Sequence, residues 1–350
     1  MQSIRLLLLP LSWIYGAITF LRNKFYDWGI FKTAEFSEAI ISVGNLSAGG
    51  TGKTPMIEYL IELFQDHYKI ATLSRGYKRK TRGFYLANTS STAADIGDEP
   101  LQFKQKYASL IVAVDANRKR GIEQLKALSS DLQLILLDDA FQHRKVRAGL
   151  SIVLSDYSNL FYNDRVLPAG SLREFASGIK RADIIIVTKT PPLISPIEKR
   201  IILKKIHVLD YQRVYFSFIR YGNPVAINKE QKLPDDLSKT AVLLLCGIAN
   251  PADLQRHLTP LVNDLKLLQY ADHHDYSVED MQVISSEFEK LHNDQKLIIT
   301  TEKDYMRLQK SELDEWVKKL PLFYIPIKTD FIEKEKEELN LQLANYVRRN

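Results

Sequence analysis

The chain reads as a two-domain α/β protein whose larger part is a mostly parallel sheet of the phosphate-loop NTPase type. Three observations predict this. The apolar run Ala39-Ile40-Ile41-Ser42-Val43 leads into Ser47-Ala48-Gly49-Gly50-Thr51-Gly52-Lys53-Thr54, which opens a helix-like stretch. Short, nearly continuous apolar runs recur at 110–114, 132–137, 150–154 and 184–187, as expected of parallel strands covered on both faces. At 350 residues the chain is long enough for two domains, each with its own core.

From the N-terminus, residues 6–20 carry no charge and are flanked by Arg5 on one side and by Arg22 and Lys24 on the other. The stretch is shorter than the ~20 apolar residues a membrane span needs, and it contains Pro10, Ser12 and Gly16. Residues 1–30 are therefore expected to form a monotopic helix lying in a membrane interface. A core-packed terminal helix and a cleaved signal peptide are the alternatives.

Residues 31–212 are expected to form the phosphate-loop domain. In such a loop the glycines Gly49, Gly50 and Gly52, with Thr51, let backbone N–H groups converge on phosphate oxygens. Lys53 then reaches the terminal phosphates and the Thr54 hydroxyl ligates Mg²⁺. The pattern is one glycine short, because Ser47 stands where the first is usual. Helical spacing follows at 55–65, a strand at 69–73, and a helix at 117–128 between two of the apolar runs.

Aromatic and polar residues alternate from Arg213 to Ile227, which reads as a two-stranded ribbon, and 213–230 is taken as the linker. The second domain, 231–350, repeats the α/β pattern with strands at 241–246, 296–300 and 322–325. Its last helix, from Glu333 onward, alternates Glu and Lys and reads as a solvated cover.

Net charge is +6, concentrated in clusters such as Lys78-Arg79-Lys80 and Arg118-Lys119-Arg120. That excess suits an anionic partner, whether phospholipid, phosphorylated substrate or nucleic acid, or a plain solvated face. The single cysteine, Cys246, excludes an intrachain disulfide and a multi-cysteine zinc site. It lies in an apolar run and reads as a buried core residue.

Strand ends carry the remaining chemistry. Leu134-Ile135-Leu136-Leu137-Asp138-Asp139 closes a buried strand with two carboxylates, where a phosphate-loop enzyme places the aspartate that orders Mg²⁺. Gly97-Asp98-Glu99-Pro100 opens a helix, and Asp98 there is either a cap or a functional group. Asp272-His273-His274 follows a strand-like run and is either a surface turn or a site. Asp98 and His273 can act as a carboxylate base and its imidazole only if the second domain folds over the first. Arg118, His143, Arg144, Arg173 and Glu174 are the remaining groups able to hold an anionic acceptor.

Together these segments resemble the tetraacyldisaccharide 4′-kinases, which phosphorylate a lipid A precursor at the inner membrane of Gram-negative bacteria. The resemblance rests on Val43-Gly44-Asn45-Leu46, the phosphate loop, Ser74-Arg75-Gly76-Tyr77, Gly97-Asp98-Glu99-Pro100 and Asp138-Asp139-Ala140-Phe141-Gln142-His143. It extends through Leu167 to Glu174, Gly247-Ile248-Ala249-Asn250-Pro251, Ala271-Asp272-His273-His274 and Thr301-Glu302-Lys303-Asp304. In that family the missing first glycine is usual. Ala140-Phe141 and Ser171 depart mildly from the family pattern.

The resemblance implies an ATP- and Mg²⁺-dependent kinase acting on a tetraacylated glucosamine disaccharide 1-phosphate. Asp98 is implied as the base with His273 as partner, and Glu99 and Asp138 as metal-site residues. Arg118, His143 and Glu174 are implied along the acceptor sugar and its phosphate. A monomer docked on the cytoplasmic face of the inner membrane, with no nucleic-acid partner, completes the expectation. Two other classes remain: a membrane-associated ATPase or GTPase switch, and a nucleic-acid-dependent NTPase. A GTPase wants a guanine reader, and Thr188-Lys189-Thr190-Pro191 has proline where the base-pairing carboxylate belongs.

Overall fold

The structure is a computed structural model that describes residues 7–349. The Arg5 and Leu6 end of the expected interfacial helix lies outside the described residues. The chain divides into two compact units: the first runs through Arg220 and resumes at Lys328, and the second is Tyr221–Ile327.

The first unit opens with helix α1 (Leu9–Asp27) and continues with interspersed strands and helices. Its elements are β1 (Ala39–Asn45), α2 (Lys53–Phe64), β2 (Ile70–Ser74), β3 (Tyr85–Leu86), α3 (Ala93–Ile96) and α4 (Asp98–Lys106). Next come β4 (Ile111–Val114), α5 (Arg118–Leu128), β5 (Leu134–Asp138), β6 (Leu150–Asp156), β7 (Ile184–Thr188), α6 (Pro196–Ile206) and β8 (Arg213–Tyr221). The second unit holds β9 (Val225–Ala226), β10 (Ala241–Cys246), α7 (Ala252–Leu258), β11 (Asp264–Gln269) and α8 (Val278–Glu289). It continues with β12 (Lys296–Thr301), α9 (Glu302–Leu308), α10 (Asp314–Lys319) and β13 (Leu322–Ile325), after which β14 (Ile327–Phe331) and α11 (Glu333–Arg348) return to the first.

The larger sheet has nine strands in the order β14-β8-β7-β6-β1-β5-β2-β4-β3. β1 is central, parallel to both β5 and β6, and its register pairs Val43 with Asp138. The apolar runs are continuous because both faces are covered. Leu134 and Leu136 of β5 join one core cluster while Ile135 and Leu137 join another on the opposite face. The smaller sheet, β11-β10-β12-β13-β9, is parallel except for the edge pair β13 and β9. Cys246 is fully buried in it.

Two expectations about the C-terminal half are corrected. The alternating segment after Arg213 is not a free two-stranded ribbon. β8 lies parallel to β7 inside the large sheet, with β14 on its other side. The last helix is not a solvated cover of the second domain, because Leu339, Leu343 and Val347 form one buried stripe in the first unit's core. These positions recur every four residues beyond the Glu/Lys-rich first turns, which masked the apolar face. Tyr346 fastens the helix by hydrogen bonding to both the N–H and the carbonyl of Ile40, at 3.0 Å each.

Helix α1 turns its small residues toward the protein and its large ones outward. Ser12 and Gly16 are the buried positions. Ser12 Oγ accepts from the Ala169 N–H at 2.9 Å, and a Cβ on Gly16 would lie 2.5 Å from the Phe175 ring. Asn23 donates to Glu174 at 2.7 Å, and the Arg22 guanidinium donates to the Gln142 carbonyl. The opposite face exposes Leu11, Trp13, Ile14, Ile18 and Leu21, each more than half accessible. Among the described residues no helix is long and apolar enough to cross a membrane.

Candidate active site

The site forms along the carboxyl ends of the central strands, where a parallel sheet leaves backbone and side-chain groups unpaired. Between β1 and α2, Gly49 and Gly52 adopt left-handed backbone angles, φ +125° and +86°, which only glycine enters without strain. No atom lies within 4 Å of where a Cβ would stand on Gly49 or Gly50, so the loop is open on that side.

Four groups brace this loop from behind. Asn45 Nδ2 donates to Thr51 Oγ1 at 2.9 Å, and Thr188 Oγ1 donates to the Thr51 carbonyl at 2.9 Å. Lys189 Nζ donates to the Gly50 carbonyl at 2.5 Å and pairs with Asp156 at 2.6 Å. The Ala48 N–H donates to the Ser171 carbonyl at 2.7 Å. Thr188 and Lys189, which sequence reasoning weighed only as a failed guanine reader, therefore hold the phosphate loop. Their position after a strand was the signal available, but which strand end faces the loop is a property of strand order.

Three buried polar atoms without hydrogen-bond partners in the structure stand at the ends of three adjacent strands: Asn45 Oδ1 on β1, Asp138 Oδ1 on β5 and Ser74 Oγ on β2. Orphaned buried acceptors are costly, and in a row they mark where a ligand completes the structure. Burial pushes the Asp138 carboxyl up to about 6, with Asp139 and Glu99 adding to the rise and Lys53 and Arg118 opposing it.

Asp139, at φ +48°, turns its carboxylate toward cations. Arg173 Nη1 lies 2.8 Å from both of its oxygens and Lys53 Nζ 3.7 Å from Oδ1. Burial works to raise Asp139, but Lys53 and Arg173 outweigh it and hold the group below the ordinary carboxylate range. Arg173 is thus occupied as the partner of Asp139.

Asp98 begins α4, preceded by Gly97 at φ +92°. A Cβ on Gly97 would meet the Tyr77 carbonyl at 2.9 Å, so the Ser74–Tyr77 turn packs directly under the start of this helix. The helix N-terminus favours the two anions Asp98 and Glu99. Arg118 is buried and bonds backbone carbonyls, those of Asp115 at 2.5 Å and Asp138 at 2.9 Å, which ties α5 to the end of β5. Burial lowers its guanidinium to about 10, still a cation at neutral pH.

His143 is pulled down to about 4, by burial first and then by the Arg118 cation, so it is neutral at physiological pH. Glu174 is buried and fully engaged, accepting from Asn23, Gln142 and Arg181. Arg144 bonds the Asn23 carbonyl and Asp27, which fastens α1 to the loop after β5. His273 belongs to the second unit. It follows β11 with φ +57°, and its Nδ1 lies 3.0 Å from Arg307 Nη2.

Among the described residues no group of three or more His, Cys, Asp or Glu is arranged to hold a metal ion by itself. Asp138, Glu99 and the buried Thr54 hydroxyl still fit Mg²⁺, which keeps few protein ligands and takes the rest from water and phosphate.

The raised Asp138 makes the stability of the protein depend on pH. An acid whose folded value exceeds its ordinary 3.8 holds its proton more tightly when folded. Its stabilising contribution is complete below that ordinary value and is lost as pH rises through about 6. Asp138→Asn should therefore stabilise the metal-free protein at pH 7–8, by up to about 3 kcal/mol, and flatten the decline in melting temperature between pH 4 and 7. Parallel melting-versus-pH curves for the two proteins would count against this placement of the charge.

The chain matches the family model for tetraacyldisaccharide-1-P 4′-kinase over residues 4–348. It is 46% identical to the tetraacyldisaccharide 4′-kinase of Bacteroides fragilis over 98% of this chain and 93% of that one. It is 47% identical to the enzyme of that name from Flavobacterium psychrophilum, over 99% and 98% respectively. Among solved structures it resembles LpxK from Aquifex aeolicus in complex with ATP. That match has a TM-score of 0.75 and 28% identity, over 98% of this chain and 99% of that one.

Proposed function

Because this chain belongs to the tetraacyldisaccharide-1-P 4′-kinase family and is an ATP-dependent kinase of lipid A biosynthesis, we propose that its reaction runs on the groups gathered at the end of β1 and β5. The observation that carries this reading is the register that sets the orphaned Asp138 carboxylate one strand away from the phosphate loop.

The loop N–H groups and Lys53 bind the triphosphate of ATP, and Lys53 passes from Asp139 to the phosphate oxygens on binding. Asp138, Glu99 and Thr54 would hold Mg²⁺, which would supply charge neutralisation to the triphosphate. Asp98 takes the proton of the acceptor's 4′-hydroxyl as that oxygen bonds to the γ-phosphorus. The bond to the bridging oxygen breaks and ADP leaves with the electron pair. His273 supplies an imidazole to the reaction. His143, neutral and near Arg118, lies along the acceptor, while Arg118 and Glu174 position the strand-end loops that receive it.

The acceptor carries acyl chains, so we place the enzyme on the cytoplasmic face of the inner membrane with α1 in the interface. The support is the inverted helix: small residues inward, large apolar residues outward over about 28 Å of length. Trp13→Asp with Ile18→Asp should abolish co-sedimentation with anionic vesicles, while activity on detergent-dispersed substrate falls only a few-fold. Unchanged co-sedimentation would remove α1 from the membrane.

The direct test of the reaction is transfer of labelled γ-phosphate from ATP to a tetraacyldisaccharide 1-phosphate in micelles, beside a Lys53→Ala control. Labelled lipid made only by the intact protein is the expected result. Labelled inorganic phosphate without labelled lipid would overturn the proposed chemistry.

A further inference from the structure

We infer that Arg307 is a positioning residue that fixes His273 in the tautomer carrying its ring proton on Nε2, so that His273 works as a hydrogen-bond donor. The inference deepens the reading of His273 as a group of the reaction and rests on it.

A guanidinium has donors and no acceptor, so the 3.0 Å approach of Arg307 Nη2 to His273 Nδ1 requires Nδ1 to present its lone pair. The tautomer of a histidine is set by the bond that its other nitrogen makes. With Nδ1 accepting, the proton sits on Nε2.

Arg307 is itself held in place. Its Nη1 donates to the Gly247 carbonyl and to Asp304 Oδ1, both at 3.0 Å. Asp304 Oδ2 accepts from the Gly247 N–H at 3.0 Å and from Thr301 Oγ1 at 2.7 Å. The His273 N–H donates to the same Gly247 carbonyl at 3.1 Å, which pins the residue at its positive φ. Gly247 is obligatory in this arrangement, since a Cβ there would stand 2.7 Å from Asp304 Oδ1. The side chains of Arg307 and Asp304 are buried, 4% and 0% accessible.

A structural ion pair alone would be satisfied by Nη1. Here Nη2 reaches an imidazole, on a residue whose backbone is strained into the same frame. His274 next to it shows the contrast: it pairs with Asp280 at 2.8 Å and stacks on Tyr270. With Nε2 protonated, His273 offers a donor to an anionic oxygen.

The test begins with the whole protein labelled with ¹⁵N-histidine, the His273 signal being assigned by its loss in His273→Gln. A pyridine-like Nδ1 and a pyrrole-like Nε2 are expected, and a protonated Nδ1 overturns the inference. Kinetics supply the second arm. Arg307→Gln should lower kcat about 10- to 100-fold with the KM for ATP unchanged, and Arg307→Lys, which keeps a donor, should recover part of that loss. In a His273→Gln background, Arg307→Gln should cost nothing further. An equal loss in both backgrounds makes Arg307 a packing residue and overturns the assignment. If His273→Gln alone is as active as the parent, the reading of His273 as a group of the reaction fails, and the nitrogen shifts still report the tautomer independently.

Discussion

Asp98→Asn lowers kcat by about 10²- to 10⁴-fold and leaves ATP affinity within a few-fold of the parent. The amide keeps the size and most hydrogen bonds of the carboxylate but cannot take a proton. The position is set by backbone constraints on both sides. Gly97 enters α4 at φ +92° and packs against the Tyr77 carbonyl, and Pro100 is buried in the helix's first turn. Because the backbone is held independently of the carboxylate, the substitution reads chemistry more than folding. Measurement of kcat and of ATP binding by calorimetry on the same preparation decides the matter. A kcat within a few-fold of the parent would assign the proton transfer elsewhere and leave Asp98 as a helix cap.

Lys53→Ala has a different signature. Turnover falls by about 10²- to 10³-fold, and ATP affinity falls with it, because one ammonium serves both the bound triphosphate and the charge developing in transfer. The substitution also leaves Asp139 paired with Arg173. Arg173 keeps two 2.8 Å contacts to that carboxylate, so the fold should survive with a modest loss of melting temperature. A rise in the KM for ATP with kcat intact would make Lys53 a ground-state binder only.

The two substitutions differ in what the chain itself disclosed. Lys53 was readable from local order, since a glycine-rich turn after an apolar run and before a helix has few other uses. Asp138 was readable for the same reason, as a carboxylate ending a buried strand. Asp98 and His273 were not decided by residue pattern, because an aspartate opening a helix and a histidine in a turn have ordinary structural uses. The resemblance to a family raised them above those uses. The braces on the phosphate loop went unread because Asn45, Thr188 and Lys189 reach it through strand order, with β6 between β1 and β7. Glu174 came to notice as a candidate acceptor group and through the family resemblance, whereas its bonds to Asn23, Gln142 and Arg181, which engage both oxygens, span distant segments that local pattern does not link.

The fold class, the loop and its lysine, the strand-ending aspartates and the apolar N-terminus are legible in the residues alone. Each is written in short-range periodicity or in the order of adjacent residues, which act over a few ångströms along the chain. Only the tertiary structure decided that α1 shows its large residues outward, that the C-terminal helix completes the first unit's core, and that Arg307 reaches His273 across 34 positions. These depend on which surfaces meet when distant segments pack, and local spacing carries no record of a partner that far along the chain.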